Sequence, residues 1–243
     1  ERKRSLGHGN IRRGNSSFFG LLFSTFFCII KQRWIMDLSV LYNISYGMYL
    51  LGVMDGNKPS GCIVNSVMQI TSKDPIMAIS INQQNYSFSL LKKTRRFSIS
   101  ILSEDTDPKL ISRFGFYSGK EVDKFSGFDY EMFEETPIIT KDACGVLVCE
   151  VLSIKEAETH AVVLARLIKT KKGNHPRPLT YSYYHQVMKG KTSQYAPTFQ
   201  EEKTTGKYVC DICGYQHDRD IELEDDTFRC PVCGATKDHF YKK

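Results

Sequence analysis

Cys210-Asp-Ile-Cys213-Gly214 and Cys230-Pro-Val-Cys233-Gly234, separated by sixteen residues, govern the C-terminal end of this 243-residue chain. Each C-x-x-C pair presents two thiolates on one tight turn. Two such turns facing each other close a tetrahedral all-sulfur shell, which suits zinc or iron. The glycine after each second cysteine admits positive φ and lets backbone N–H groups approach the sulfurs without a Cβ in the way. A disulfide pair is disfavoured, because nothing else in the chain has a secretory character. Spacing by itself leaves a structural zinc ribbon and an iron centre both open.

Working outward, charge divides the chain sharply. Residues 1–35 hold seven Lys/Arg and one Glu, which accounts for the whole net charge of +6. The remaining 208 residues carry 26 charges of each sign, so the body has no nucleic-acid footprint and that class is excluded. Residues 1–35 also contain an apolar run, Phe18 to Ile30, behind a basic stretch. Thirteen residues are too few to span a bilayer unaided. Lys31, Arg33 and Trp34 follow directly, where a signal peptide would show a small-x-small cleavage site. We expect 1–35 to be an extension outside the folded machinery, with a signal or anchor as the competing reading.

From Met36 to about Pro197 the pattern is mainly β. Strands are predicted at Gly47–Val53, Cys62–Thr71, Ile76–Asn82, Phe97–Leu102, Val146–Ile154 and His160–Ile168. Asp55-Gly56-Asn57 and Lys172-Gly173-Asn174 supply turns. Tyr86–Arg95 and Pro108–Phe114 read as short helices. Many short strands with few helices suggest a barrel of about 150 residues. Residues 189–207 are polar and turn-rich, as a linker is. The expected division is therefore 36–188, a linker at 189–207, and a metal module at 208–243. No G-x-G-x-x-G follows a strand, so a Rossmann nicotinamide domain is absent; there is no P-loop and no plausible Ser-His-Asp set. Cys62, Cys144 and Cys149 read as buried small hydrophobes.

The surroundings of the four cysteines resemble a rubredoxin, the one-iron electron-transfer module. Tyr208, Tyr215, Phe228 and Phe240 would form its aromatic core, and Cys210, Cys213, Cys230 and Cys233 would bind one iron as Fe(Cys)4. The segment between the pairs is shorter than in free-standing rubredoxins, and Phe228 stands where many carry tryptophan. Residues 208–240 hold three Lys/Arg against eight Asp/Glu, a balance suited to a basic redox partner.

A second resemblance lies upstream. Lys58-Pro-Ser-Gly-Cys62-Ile-Val-Asn65-Ser66-Val67-Met-Gln69-Ile-Thr71, then Ser80-Ile81-Asn82-x-x-Asn85-Tyr86-Ser87, resembles the flavin-binding face of the flavin reductase-like split barrels. Lys124-Phe-Ser-Gly-Phe-Asp and the tract Pro178 to Pro197 add to it, and with the metal module behind them they resemble the high-molecular-weight rubredoxins of anaerobes. The likeness covers about 85 % of the chain. It implies a mainly β fold, an FMN-binding split β-barrel followed by a small rubredoxin-like metal domain.

The resemblance also implies roles. Asn65, Ser66, Val67, Gln69 and Thr71 would meet the flavin ring and ribityl chain. Ser80 and Ile81 would also bind the cofactor, and the turn with Asn82, Asn85, Tyr86 and Ser87 would hold its phosphate, with the helix start as the anion site. His160 stands where related reductases carry Gly-Asp-His near the nicotinamide; here the sequence is Glu158-Thr159-His160. The implied protein is a cytoplasmic homodimer that passes electrons from NAD(P)H through FMN to the iron. The implied acceptor is an external protein, a flavodiiron oxygen or nitric oxide reductase. A flavoredoxin-like carrier that does not use NAD(P)H, and a zinc-ribbon FMN-binding protein without turnover, are the competing readings. The sequence places no residue that would choose NADH over NADPH.

Overall fold

The computed structural model describes residues 37–188, 190–193, 196, 198 and 207–242. The expected extension at 1–35 and most of the expected linker at 189–207 lie outside the described residues. Residues 1–44 and 45–243 form two units. In the first, Asp37 caps a 3-10 turn, Leu38–Asn43, by accepting a hydrogen bond from the Ser39 N–H at 3.0 Å.

In the second unit the chain runs through β1 (Tyr49–Asp55), β2 (Lys58–Val64), β3 (Val67–Gln69), β4 (Ile76–Asn82), helix α1 (Tyr86–Thr94) and β5 (Arg96–Leu102). Helix α2 (Pro108–Phe116), β6 (Glu131–Phe133), β7 (Thr136–Ile138), β8 (Ala143–Ala157), β9 (His160–Lys172) and helix α3 (Tyr181–Gln186) follow. Seven strands form one antiparallel sheet in the order β2-β1-β5-β8-β9-β4-β3. The sheet curls around Leu51, Val53, Phe88, Phe97, Ile79, Ile81 and Val163, which form its core. Its two edge strands, β2 and β3, are consecutive in sequence and are not paired with each other. That unpaired seam is what splits the barrel.

Local chemistry explains the turns and caps. The β1–β2 hairpin pairs Asp55 with Lys58, and Gly56, at φ 57°, takes the first central position of the two-residue loop. Asn85 caps α1 by accepting from the Ser87 N–H at 2.9 Å, and Arg95 ends it in the left-handed region at φ 59°. Asp107 and Pro108 start α2 in the same manner, the Asp107 carboxylate accepting from the Lys109 N–H at 2.8 Å.

One sequence expectation changes, and elements appear that were not expected. The single strand predicted at Cys62–Thr71 is two, because the chain crosses the seam at Asn65-Ser66 and enters β3 at Val67. The hairpin β6–β7 and the six-residue helix α3 were not predicted, being too short for either period to show. β5 reads Arg-Phe-Ser-Ile-Ser-Ile-Leu, which sets hydroxyl side chains among apolar ones. Ser98 and Ser100 are nonetheless fully buried, because β7 lies over them. The Ser98 hydroxyl donates to the Pro137 carbonyl at 2.6 Å, and the Ser100 hydroxyl accepts from the Ile139 N–H at 3.1 Å.

The closeness of β7 explains the glycine inside β1. A Cβ at Gly52 would run into the Pro137 carbonyl oxygen and the Ser98 hydroxyl. Gly52→Ala is therefore expected to lower stability by about 2 kcal/mol, a fall in Tm on the order of 6 °C, measured by thermal unfolding of the full chain.

Candidate cofactor cavity and metal centre

The metal site stands on a three-stranded sheet, β11 (Gln216–His217), β10 (Tyr208–Cys210) and β12 (Phe240–Lys242), in that order. Cys210, Cys213, Cys230 and Cys233 are buried, and their sulfurs all lie within 4.8 Å of one another. The Cys210–Cys233 and Cys213–Cys230 pairs are 3.7 and 3.5 Å apart, far beyond a disulfide bond. A tetrahedral shell with metal–sulfur bonds of about 2.3 Å has edges of about 3.8 Å, so the four thiols fit a single ion. Gly214 and Gly234 both sit at φ 74°, which closes each loop: their N–H groups donate to the carbonyls of Cys210 and Cys230 at 2.9 and 2.8 Å.

The aromatic core of this module differs from expectation in one member. Phe228 and Phe240 stack edge-on at 5.5 Å, and Tyr215 meets Phe240 at 6.3 Å. His217 joins them, 5.1 Å from Phe228, with its Nε2 paired to Glu224 at 3.0 Å. Tyr208 packs at the edge of the cluster, and its hydroxyl donates to Asp220 at 2.8 Å.

A cavity of about 380 Å³ opens beside the barrel seam, within the usual range for a small-molecule site. From β2 and the seam come Ile63, Val64 and Asn65; from β4 and the start of α1 come Ser80, Ile81, Asn82, Asn85 and Tyr86. His160, at the head of β9, pairs in register with Asn82 and joins the same wall. Burial lowers the His160 pKa, and its Nδ1 is 2.9 Å from the Thr159 hydroxyl.

Five of the expected positions fall elsewhere. Ser66, Val67, Gln69, Thr71 and Ser87 do not line the cavity. The Ser66 hydroxyl donates to Asn65 Oδ1 at 3.0 Å, and Val67 packs on the barrel core. The Gln69 amide donates to the Thr71 carbonyl, and the Thr71 hydroxyl donates to the Asp74 carbonyl and accepts from the Ile76 N–H, which folds the β3–β4 turn. The Ser87 N–H is taken by the Asn85 side chain and the residue is buried, so the helix start presents Asn85 and Tyr86 to the cavity.

Several lining residues carried no signal of their own. Phe116 at the end of α2 and Tyr117, Ser118 and Gly119 just past it enter the wall, and Tyr181 and Tyr184 come from α3. The Gly190-Lys191-Thr192 stretch gains its meaning here: a Cβ at Gly190 would run into the Tyr184 ring, and the Tyr184 hydroxyl donates to the Lys191 carbonyl at 3.1 Å. Thr192 lies 2.6 Å from the Tyr181 hydroxyl, and Asn65 donates to the Thr198 hydroxyl at 2.8 Å. Lys124, in the quoted Lys-Phe-Ser-Gly-Phe-Asp tract, is a buried cation at the cavity wall. Its Nζ donates to the carbonyls of Gly61 in β2 and Phe114 in α2 at 2.9 and 3.0 Å. Apolar and aromatic walls, a row of amides and a buried cation suit a planar aromatic ring bearing an anionic tail, which is the chemistry of FMN.

Fold and site together define a flavin reductase-like split barrel joined to a rubredoxin-like metal module. Residues 41–189 match the family described as Flavin reductase like domain, and residues 208–241 match Rubrerythrin, rubredoxin-like domain. A high molecular weight rubredoxin of Moorella thermoacetica is 34 % identical, over 84 % of this chain and 99 % of its own length. A ferric-chelate reductase (NAD(P)H) of Archaeoglobus fulgidus is 31 % identical, over 69 % of this chain and all of its own length. An FMN-binding protein of Thermus thermophilus shares the fold at TM-score 0.52 and 22 % identity, over 57 % of this chain and 81 % of its own. The chain belongs to the flavin reductase like family, in the two-domain form of the high molecular weight rubredoxins. It is a flavoprotein oxidoreductase of electron transport, and its two domains imply FMN and iron. Among the described residues no helix is long and apolar enough to cross a membrane.

Lys124 gives the site a pH signature. Burial lowers its pKa from 10.5 to about 8, although its electrostatic interaction with Cys62 acts the other way. The unfolded chain then binds more protons than the folded one between those values, so stability rises with pH across that window. In Lys124→Met the rise disappears. Denaturant titrations at pH 8 and 10.5 are expected to differ between the two proteins by on the order of 2 kcal/mol, in the wild type's favour at the higher pH.

Proposed function

We propose that the chain is an NAD(P)H-dependent oxidoreductase that passes electrons from FMN to an Fe(Cys)4 centre and on to an external acceptor. One observation carries this reading. Ile212, inside the Cys210–Cys213 loop, is part of the cavity wall, so the two cofactor sites are immediate neighbours. FMN accepts a hydride and releases electrons singly, which matches a two-electron donor to a one-electron metal.

The chain's own residues bind and orient. Asn65, Ser80, Ile81, Asn82, Asn85 and Tyr86 hold the flavin, with Lys124 as the fixed positive charge at the wall. Ser66, Val67, Gln69, Thr71 and Ser87 act at one remove, by fixing the seam, the β3–β4 turn and the start of α1. His160, whose pKa burial lowers so that the neutral ring is favoured, offers a flat surface for the nicotinamide. The name of the Archaeoglobus relative, which specifies NAD(P)H, supports that donor.

The protein works as a cytoplasmic homodimer. Met68 on β3 and Val162 on β9 point to the same side of the sheet, 62 % and 41 % exposed, an apolar face that a second copy would cover. The acidic excess of residues 208–240 favours an acceptor with a basic docking face, and a flavodiiron protein is the acceptor proposed.

Anaerobic titration of the FMN- and iron-loaded protein with NADH and then NADPH tests the reading. Flavin and iron–thiolate bands are both expected to bleach, the flavin first. A flavin band unmoved by either nucleotide sinks NAD(P)H dependence, and zinc in place of iron sinks the electron path. In His160→Ala the apparent KM for the nucleotide is expected to rise about tenfold with a smaller change in kcat, read from steady-state kinetics.

A further inference from the structure

Helix α2 is packed from two sides. Leu110, Ile111 and Phe114 face the second core cluster of the barrel domain, with Met48, Leu50 and Leu102. Its other side meets the metal module. Phe116 packs against the cluster formed by the four cysteines, Ile221 and Phe240. Ser112, in the helix interior, is buried, and its hydroxyl donates to the Cys233 carbonyl at 2.9 Å. Tyr117, just past the helix, holds its hydroxyl 3.5 Å from the same carbonyl, a weaker contact. A serine inside a helix ordinarily turns its hydroxyl back onto its own backbone. Here it reaches across to a loop that carries two of the four thiols.

We propose that Ser112 is a positioning residue that seats the Cys230–Gly234 loop on α2 and so holds the metal module across the cavity mouth. The inference rests on the function proposed above and deepens it. Covalent attachment alone leaves the module free to sample many orientations, whereas electron transfer requires one. A single buried hydrogen bond to the backbone of a ligand loop selects that orientation without touching a sulfur. Its strength is modest, so the module is held yet can leave to meet an external acceptor. Removing the hydroxyl leaves the buried Cys233 carbonyl facing Tyr117 alone, which favours release.

The test compares wild type, Ser112→Ala and Ser112→Thr as full chains loaded with FMN and iron, their contents equal. Hydrogen exchange is followed in peptides covering residues 108–119 and 228–235. Exchange in both segments is expected to rise at least threefold in Ser112→Ala and to return towards wild type in Ser112→Thr. In stopped-flow mixing with the nicotinamide the wild type prefers, flavin bleaching is expected to stay within twofold in Ser112→Ala, while iron bleaching slows at least fivefold. Unchanged exchange in both segments, or unchanged iron bleaching, overturns the proposal. If wild-type iron never bleaches while the flavin does, the proposed electron path fails instead, and the exchange comparison still decides the seat. Should Ser112→Ala lose FMN or iron, Ser112→Val against Ser112→Thr, an isosteric pair differing in the hydroxyl, carries the same comparison.

Discussion

The seven-stranded sheet rolls up without joining its edges, and the functional parts of the molecule collect at that unpaired seam. An edge strand exposes a row of unsatisfied N–H and C=O groups, which proteins normally cover or blunt. Here the two edges are consecutive strands, so the chain must cross the gap between them, at Asn65-Ser66. The crossing leaves space beside it, and the Ser66 carbonyl, which accepts from the Ser80 N–H at 3.0 Å, keeps β3 tied to β4. The cavity occupies the space. Residues from β2, β4, α1 and the head of β9 meet there because the seam brings their ends together.

What closes the cavity is held by polar bonds. Lys124 ties β2 to α2 through two backbone carbonyls, so a charge taken out of water is met by two acceptors. The bonds from Tyr184 to Lys191 and from Asn65 to Thr198 tie those two residues to side chains of the cavity wall. Each contact leaves a polar atom near the cavity with a partner, and none provides a reacting group. That agrees with chemistry that belongs to the cofactors and with a chain whose work is placement.

Helix α2 links the two domains. It is nine residues long, yet it contributes to the barrel domain's second core, the cavity wall and the seat of the metal loop. Separate domains on a polar linker would tumble independently. A shared helix gives the metal module a preferred place, and it puts Ile212 into the wall of the cavity the barrel makes.

The four-cysteine shell was legible in the sequence because its determinants are local: two short loops, each closed by a glycine at positive φ, specify the geometry within a few residues. β4 and the start of α1 were legible too, since a run of apolar residues and an Asn cap are short-range signals. The seam was not, and the predicted strand Cys62–Thr71 ran straight through it, because nothing in its alternation marks where pairing partners change. Likewise no local pattern marks Ser98 and Ser100 as core; β7, contributed from more than thirty residues away, makes them so. Phe116, Tyr117 and Ser112 acquire their roles only when the metal loop comes to rest on α2. The sequence alone determined the ligands and the local turns, because these depend on neighbours along the chain. The tertiary structure decided which polar groups face the cavity and where the two domains meet, because those depend on contacts between segments far apart in the chain, which no local pattern encodes.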